Sequence, residues 1–242
     1  MLRNIPGGLY ENFILVCTTQ KEPNEVIYNI KINMTTISRK LRTGSGFYRI
    51  VVKPAADWLV AFMALVILLP LFLIVAVAIK INSRGSVLFL QERLGRNGKV
   101  FKIVKFRSMI LDHGIPVSEQ KVFENDPRIT RVGSFIRRTS IDELPQLINI
   151  LKGEMSFIGP RPPVTTYPKL FNDYTEFEKQ RFIVKPGISG LAQIRGREIN
   201  DWNINIPIDV EYVQNCSFLF DMQLFFRSLL VFFRTDNIYS RE

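Results

Sequence analysis

The stretch Trp58–Ile79, with the sequence WLVAFMALVILLPLFLIVAVAI, decides how the rest of the chain must be arranged. It contains no charged residue. As a straight α-helix it is about 33 Å long, enough to cross a hydrocarbon layer of about 30 Å. A buried core helix is the alternative, but core helices seldom present an apolar surface on every side for so many turns. The stretch therefore predicts one helix inserted in a membrane.

Two features of this segment bear on its topology. Pro70 lies near its middle, where a proline removes an internal hydrogen bond and predicts a kink. Both flanks are basic, with Lys40, Arg42, Arg49 and Lys53 before the segment and Lys80 and Arg84 after it. The positive-inside rule gives a spanning helix one basic flank, so two favour a re-entrant helix with both ends on the cytoplasmic side. A straight single-pass helix that tolerates its proline remains the alternative.

The composition limits the class of protein. A chain of 242 residues has room for one main domain, and 22% charged with 47% hydrophobic residues excludes a largely disordered chain. The net charge of +10 calls for an anionic partner, which is nucleic acid, lipid headgroups or a phosphorylated small substrate. The two cysteines, Cys17 and Cys216, fit no zinc or disulfide framework and indicate a reducing compartment for the soluble part.

Composition also divides the chain into three segments. Residues 1–52 form an N-terminal extension of unassigned role, with strand-like FILVCTT and VIYNIKI stretches. Residues 53–84 hold the membrane-inserted helix. In residues 85–242, β-prone runs such as SVLFLQER and KVFKIVKFRSM alternate with helical patterns. This alternation predicts a compact, helix-rich mixed α/β domain, which the topology above places on the cytoplasmic face.

A pair of adjacent acids, Asp142 and Glu143, stands at the start of a predicted helix in TSIDELPQLINILKG. Its apolar stripe consists of Leu144, Leu147, Ile148 and Leu151, and Gly153 provides the stop signal. Ser140 and Glu143 fit a capping box, and acids in a first helical turn favour the helix dipole. A purely structural role for both acids therefore stays open at this point.

Pro145 favours a helix start at Asp142 itself. With Ser140 as N-cap, the proline falls at the fifth helical position and removes a needed donor, whereas a start at Asp142 places it in the first turn. Backbone donors with Arg137 and Arg138 would then hold the Asp142 carboxylate ionised and attract phosphate. An ionised aspartate beside phosphate is a candidate nucleophile, and a neighbouring glutamate is a hard oxygen ligand for Mg²⁺.

Two later segments carry features of a ligand site. Residues 159–163, GPRPP, place Arg161 between prolines that limit the backbone around a planar guanidinium suited to phosphate. An ordinary proline-rich turn with a solvated arginine is the alternative. Residues 185–197, KPGISGLAQIRGR, combine glycines that permit close approach to a ligand with basic side chains. Neither segment is a Walker or GxGxxG sequence, so pattern alone does not indicate nucleotide binding.

Taken together, these stretches resemble the bacterial sugar transferase family, the monotopic phosphoglycosyl transferases that start glycan assembly on polyprenyl phosphate. The resemblance runs from about residue 54 to the C-terminus. Its pieces stand in family order: the proline-bearing apolar helix, QERLGRNGKVFKIVKFRSM at 91–109, DPRITRVGSFIRRTSIDELPQLINILKGEMSFIGPRPP at 126–163, and KPGISGLAQIRGR at 185–197.

The resemblance implies a ping-pong reaction. The aspartate matching Asp142 attacks the β-phosphate of a UDP-sugar and releases UMP, and polyprenyl phosphate then takes the sugar phosphate from the enzyme. Glu143 matches the family's Mg²⁺-associated carboxylate, so Mg²⁺ is the implied cofactor. The residues implied in substrate binding are Arg161, Arg138, Lys105, Gln193 and Arg197.

The resemblance also implies a location and partners. The expected location is the inner membrane with the catalytic domain on its cytoplasmic face, and the partners are a UDP-sugar, polyprenyl phosphate and membrane lipid. The implied pathways are synthesis of exopolysaccharide, capsule, O-antigen or glycoprotein glycans, and homo-oligomerisation stays open. The family breaks its re-entrant helix at a Ser-Pro pair. Here the pair is Leu69-Pro70, so the proline must produce the break without the serine's hydrogen bond.

Several features leave alternatives. The segment SFLFDMQLFFRSLLVFFR has helical apolar spacing and predicts either a helix in the headgroup region or a core helix; the spaced residues are Phe218, Leu219, Met222, Phe226, Leu229 and Phe233. Asp209 and Glu211 lie in a stretch resembling a family segment, and for Glu211 an ordinary solvated acid is favoured; His113 has no metal partners in the sequence and is expected to be a plain loop residue. The rival function is a non-enzymatic, membrane-anchored cationic scaffold. Nucleic-acid binding is disfavoured because the basic residues are spread out and match no known binding motif.

Overall fold

The computed structural model describes residues 45–110, 126–195 and 201–232. The chain divides into two units, Met1–Met34 and Thr35–Glu242, and every described residue belongs to the second. The expectations about FILVCTT, VIYNIKI, Cys17, His113 and Arg197 lie outside the described residues. What is described is a mixed, helix-rich fold, in agreement with the predicted class at that level.

The elements follow one another in an irregular alternation of helices and short strands. The helices are α1 Lys53–Asn82, α2 Arg131–Arg138, α3 Leu147–Leu151, α4 Glu176–Lys179, α5 Leu191–Arg195, α6 Trp202–Asn215 and α7 Phe218–Phe232. A short helical entry, Ser45–Phe47 and the π-turn Tyr48–Val52, precedes α1. The strands are β1 Leu88–Leu94, β2 Val100–Phe106, β3 Ser156–Ile158 and β4 Gly187–Ser189. Single 3₁₀ turns are Arg96–Gly98, Ile141–Gln146, Phe171–Asp173 and Gln180–Phe182.

Helix α1 is the predicted apolar helix, and it runs through Pro70 without a break in its helical backbone. The kink expected at Pro70 stays a prediction, because a proline can bend a helix whose hydrogen bonding continues on both sides of it. Pro70 lies on the exposed face of α1, where it removes only the one hydrogen bond that its missing N–H would donate to the preceding turn. Only 11% of the helix's most apolar stretch is buried, which differs from a core helix and agrees with insertion in a membrane.

One narrow face of α1 packs against the rest of the fold along its whole length. Before Pro70, Ala61 and its neighbours pack on a core that contains Ile103 and Ile150. Beyond Pro70, Val75 and Ile79 pack on Phe106 and Ile136. The two halves of the helix thus contact the same domain.

Buried polar contacts fasten the N-terminal end of α1, and we call them the N-terminal clasp. Lys53 Nζ lies 2.7 Å from Asp221 Oδ2 on α7, and both side chains are buried. The Tyr48 hydroxyl donates to the same carboxylate oxygen at 2.6 Å. One turn further along, Asp57 accepts a hydrogen bond from Ser156 of β3 at 2.6 Å.

A second set of contacts, the C-terminal clasp, fastens the other end. The buried guanidinium of Arg107 donates to the carbonyl oxygens of Ser83 and Arg84, each at 2.8 Å. Asn82 Oδ1 accepts the Val132 N–H of α2 at 3.1 Å. Since a cation buried without partners is costly, the buried Lys53 and Arg107 fix the two ends of α1 to the domain.

The two sheets carry the loops of the candidate site. Strands β1 and β2 form an antiparallel hairpin in which Phe89 is opposite Lys105 and Arg93 is opposite Phe101. Strands β3 and β4 pair in parallel, with Ser156 opposite Gly187. Both β-prone runs of the sequence analysis are therefore confirmed as strands.

Asn149 of α3 joins the helix to the free edge of β2 and is fully buried. Its Oδ1 accepts the Val104 N–H at 3.0 Å, and its Nδ2 donates to the Lys102 carbonyl at 2.8 Å. The side chain thus takes the place of a neighbouring strand. Because Lys105 follows Val104, this contact also sets where Lys105 lies relative to the segment before α3.

We predict that Asn149→Ala destabilises the protein by roughly 3 kcal/mol, because it leaves a strand N–H and a strand carbonyl buried without partners. The free energy of unfolding of the detergent-solubilised protein in urea measures this. Asn215→Ala is the matched control, since Asn215 is exposed and makes one local bond to Glu211 O. An equal loss in both variants would contradict the assigned role.

Candidate active site

The two acids lie in a 3₁₀ turn, Ile141–Gln146, and not in the first turn of an α-helix. The predicted helix start at Asp142 is therefore wrong, because α3 begins at Leu147. Pro145 has no N–H to donate to the preceding turn, so α-helical hydrogen bonding starts only beyond it. The capping box is absent as well: Ser140 has φ 52° and its side chain caps no N–H at this turn. Gly153 is confirmed as the stop, with φ 77°.

Three cations surround the acids. Lys105 of β2 places Nζ 2.8 Å from Glu143 Oε1, and Arg161 places Nη2 3.7 Å from the same oxygen. Arg93 of β1 adds its charge from the neighbouring strand and lowers the pKa of Glu143. The Glu143 side chain is 20% exposed, so solvent screens its charge only partly. The three cations therefore stabilise its ionised form.

The two acids differ in proton affinity. Burial raises the pKa of Asp142 to about 6, and the negative charge of Glu143 adds to the rise, although Lys105 opposes it. Burial also acts to raise the pKa of Glu143, but Lys105, Arg161 and Arg93 outweigh it and hold the pKa at about 2. Two neighbouring carboxylates with proton affinities pushed apart are typical of sites in which each has a separate task.

The expected support for Asp142 differs from what is found. Arg137 does lower its pKa, but by less than burial raises it. Arg138 is exposed, and in the described part of the chain it makes no ion pair with either acid. The Gln193 amide donates to Ile188 O at 3.4 Å, and among the described residues it has no contact with the acids. The structure thus brings together Asp142, Glu143, Lys105 and Arg161.

Arg93 is a site residue that sequence reasoning missed. A signal was present in the alternation of the β1–β2 hairpin. Residues 89, 91 and 93 of β1 share a face with the residues of β2 that pair opposite them, namely 105, 103 and 101. Arg93 is therefore on the same face as Lys105. Burial and the nearby charge of Arg161 together lower the pKa of Arg93 to about 10.

The two acids of the family-like stretch on α6 differ in burial. Glu211 is partly exposed and pairs with Arg195 at 2.5 Å, in agreement with a solvated acid. Asp209 is 1% exposed and pairs with the buried Arg181 at 2.6 Å. The buried pair lies beside the loop that carries Arg161, because the Arg181 side chain also donates to Arg161 O at 2.8 Å.

The acids fit Mg²⁺ only together with a substrate. Within the described ranges, no group of three or more His, Cys, Asp or Glu side chains could hold a metal ion. Glu143 Oε1 is engaged by Lys105 and Arg161, whereas Oε2 has no ion-pair partner among the described residues. Mg²⁺ commonly takes one or two carboxylates and completes its shell with substrate phosphates and water, and this donor set matches that requirement.

Two adjacent carboxylates with unlike pKa values among three cations are typical of a functional site. Comparison with known proteins gives the family. The model of the bacterial sugar transferase family matches residues 48–235. The chain belongs to this family.

Three relatives illustrate the similarity. The chain is 43% identical over 188 residues to the UDP-glucose:undecaprenyl-phosphate glucose-1-phosphate transferase of Xanthomonas campestris pv. campestris, covering 73% of this chain and 38% of the relative. It is 36% identical over 241 residues to the UDP-N-acetylgalactosamine-undecaprenyl-phosphate N-acetylgalactosaminephosphotransferase of Aeromonas hydrophila, covering 92% and 55%. It is 38% identical over 192 residues to exopolysaccharide production protein ExoY of Sinorhizobium fredii, covering 73% and 83%. The chain thus spans about half or less of the first two.

We predict that replacing each acid by its amide shifts the melting temperature in opposite directions at pH 7.5. The folded-state pKa of Asp142 is raised from 3.8 to about 6, so ionisation of Asp142 lowers stability as the pH rises through that interval, and Asp142→Asn removes the loss. The pKa of Glu143 is lowered from 4.5 to about 2, so Glu143 stabilises above pH 4.5 when ionised, and Glu143→Gln removes the gain.

Thermal unfolding between pH 3 and 8 checks both signs. The stabilisation by Asp142→Asn should fade as the pH falls from about 6 to about 4, and the destabilisation by Glu143→Gln should shrink as the pH falls from 4.5 toward 2. The two variants control for each other, because both exchange one oxygen for an amide nitrogen in the same turn. Shifts of the same sign at pH 7.5 would contradict the assignment.

Proposed function

We propose that this protein transfers a sugar 1-phosphate from a UDP-sugar to polyprenyl phosphate, giving polyprenyl-diphosphate-sugar and UMP. The observation that carries the proposal is the unequal acid pair: Asp142 has a raised pKa and Glu143 a lowered one inside the same cationic site. Relatives named for this reaction with UDP-glucose and UDP-N-acetylgalactosamine support it.

Asp142 is the proposed nucleophile. A carboxylate with a pKa near 6 is largely ionised at neutral pH and more basic than an ordinary aspartate, which favours attack. Its oxygen forms a bond to the β-phosphorus while the bond from that phosphorus to the α–β bridging oxygen breaks. UMP leaves with the bridging oxygen. A phosphate oxygen of polyprenyl phosphate then attacks the same phosphorus and frees the Asp142 carboxylate.

The surrounding charges have the task of holding the diphosphate. Glu143 keeps Lys105 at 2.8 Å and Arg161 at 3.7 Å, so both cations are oriented before substrate arrives. The Arg161 side chain is 46% exposed and is free to form charge-assisted hydrogen bonds with phosphate oxygens. We propose Mg²⁺ as the cofactor, with Glu143 Oε2 as its protein ligand; when bound, it would neutralise charge on the diphosphate.

We further propose that α1 enters the inner membrane from the cytoplasmic face and returns to it. Both clasps join the ends of α1 to one domain, through Asp221 at one end and Arg107 at the other, and a domain on one side of a membrane cannot hold both ends of a spanning helix. Exposed apolar residues of α7, which are Phe218, Leu219, Phe226, Leu229 and Leu230, are available to the same lipid surface.

The proposed boundaries are residues 53–84 for the membrane segment and 85–242 for the catalytic domain, with residues 1–52 as an extension. We also propose a role in exopolysaccharide synthesis, supported by the names of relatives such as exopolysaccharide production protein ExoY. The rival function, a cationic scaffold without catalysis, requires no particular acid. It differs from the enzyme in predicting that both acids are dispensable.

We predict UMP release when the purified protein is given undecaprenyl phosphate, Mg²⁺ and members of a UDP-sugar panel. Asp142→Asn should lower the rate by about 1,000-fold or more, because an amide is a poor nucleophile. Without the lipid acceptor, mass spectrometry should find a sugar phosphate on Asp142.

Asp173→Asn is the control for this experiment, because Asp173 is an exposed acid in the 3₁₀ turn Phe171–Asp173. It should release UMP at the wild-type rate. Full activity in Asp142→Asn would overturn the nucleophile assignment, and absence of UMP from every UDP-sugar tested would favour the scaffold.

For the topology, we predict that single cysteines at Gly46 and Arg84 react with a membrane-impermeant maleimide from the same side. Both should be labelled in inside-out vesicles and protected in intact spheroplasts. A Cβ atom added at Gly46 would have no other atom within 4 Å, and the Arg84 side chain is exposed. Neither substitution therefore disturbs a side chain of the two clasps. The host chain carries Cys17→Ser and Cys216→Ala.

A third cysteine at Ile67, which is 74% exposed in the middle of α1, serves as the control. It should stay unlabelled from either side, because lipid covers it. Labelling of positions 46 and 84 from opposite sides would establish a spanning helix and exclude the re-entrant one.

A further inference from the structure

The buried pair Arg181–Asp209 is unusual for its position in the fold. Each residue is 1% exposed. Both Nε and Nη2 of Arg181 bond to one oxygen, Asp209 Oδ2, at 3.1 and 2.6 Å. The guanidinium lies 5.2 Å from the centre of the Phe182 ring and 5.1 Å from that of Trp202. The cation is therefore fixed on several sides.

A buried ion pair is a poor source of stability. Removing both charges from water costs several kcal/mol per ion, and well-packed apolar replacements are often as stable or more so. The interior around this pair includes Tyr174, Phe182 and Ile206, which would accept apolar side chains. The pair therefore calls for an explanation other than stability.

A further bond from Arg181 supplies one. Its Nη2 donates to the backbone carbonyl of Arg161 at 2.8 Å. Arg161 stands in the loop Pro160–Pro163, in which every other residue is a proline without an N–H. Because prolines have no N–H to donate, such a loop is held in place by the hydrogen bonds that its carbonyl oxygens accept.

All four carbonyl oxygens of this loop accept a hydrogen bond. Gly187 N donates to Pro160 O at 3.0 Å, and Leu94 N donates to Pro163 O at 2.9 Å. The Arg93 side chain donates to Pro162 O at 3.1 Å, and Arg181 takes the remaining carbonyl. Among the residues that the structure describes, Arg181 is thus the donor to the carbonyl of Arg161, the residue whose side chain reaches Glu143.

We propose that Arg181, with its charge balanced by Asp209, is a positioning residue that fixes the backbone of Arg161 so that the Arg161 guanidinium faces the diphosphate. The inference rests on the proposed function. Arg181 touches no substrate and acts through Arg161. Asp209 keeps the guanidinium charged and aligned inside the fold.

The test replaces the pair by apolar side chains, Arg181→Met with Asp209→Leu, and measures UMP release, KM for the UDP-sugar and the melting temperature. We expect a melting temperature within a few degrees of wild type and a kcat about tenfold lower, because misplacement near the chemistry weakens transition-state contacts more than binding. Combined with Arg161→Ala, the pair replacement should cause no further loss, since both changes disable the same side chain.

Two further variants sharpen the test. Lys169→Met with Glu178→Gln removes an ion pair of 2.6 Å that contacts no residue of the loop, and it should keep wild-type kinetics. Arg181→Lys keeps the charge but loses the planar fork that reaches two acceptors; it should lose kcat in the same direction, and the same criteria apply to it if the apolar variant fails to fold.

The outcomes separate the inference from the proposed function. If the wild type is active and the pair variant has an unchanged kcat, the positioning role is wrong. It is also wrong if the loss of kcat in the pair variant multiplies with the loss caused by Arg161→Ala. A wild type that releases no UMP from any UDP-sugar overturns the proposed function instead.

Discussion

The structure depends on the packing of one face of an apolar helix against a single domain along its whole length. That face carries small and medium side chains such as Ala61 and Val75, while the other faces stay exposed. Apolar surface exposed on this scale is stable only in lipid. The helix therefore associates the rest of the fold with a membrane.

The candidate site uses buried charge in a graded way. Lys105 and Arg161 contact Glu143 directly and keep it ionised, and Asp142 shares their field without an ion-pair partner among the described residues. Glu143 therefore holds two cations in place, and the pKa of Asp142 stays above that of an ordinary aspartate. Rigid strands and a loop tied through its carbonyl oxygens place these groups, which is the condition for pre-organised electrostatic catalysis.

Much of this was accessible from the sequence, because the strongest local patterns decide their own structure. The run from Trp58 to Ile79, the two β-prone stretches and the stop at Gly153 formed as predicted. The α-helix that carries the acids did not start where it was predicted. Pro145 is compatible with an α-helical first turn, but the backbone there forms a 3₁₀ turn.

Contacts far apart in sequence leave no local signal. Arg181 and Asp209 lie 28 residues apart, and each by itself has the pattern of a solvated surface charge. The proton affinities of Asp142 and Glu143 depend on burial and on cations from three segments, so spacing alone did not predict that the pKa of Asp142 is raised while that of Glu143 is lowered.

The N-terminal clasp has a consequence for biosynthesis. Lys53 and Asp221 lie 168 residues apart, so their contact forms only after nearly the whole chain has left the ribosome. During that interval α1 is exposed without its domain, and long-range contacts of this kind form slowly. The polar contact that closes the N-terminal clasp is therefore among the last to become available during synthesis, long after the apolar helix that it fastens has been made.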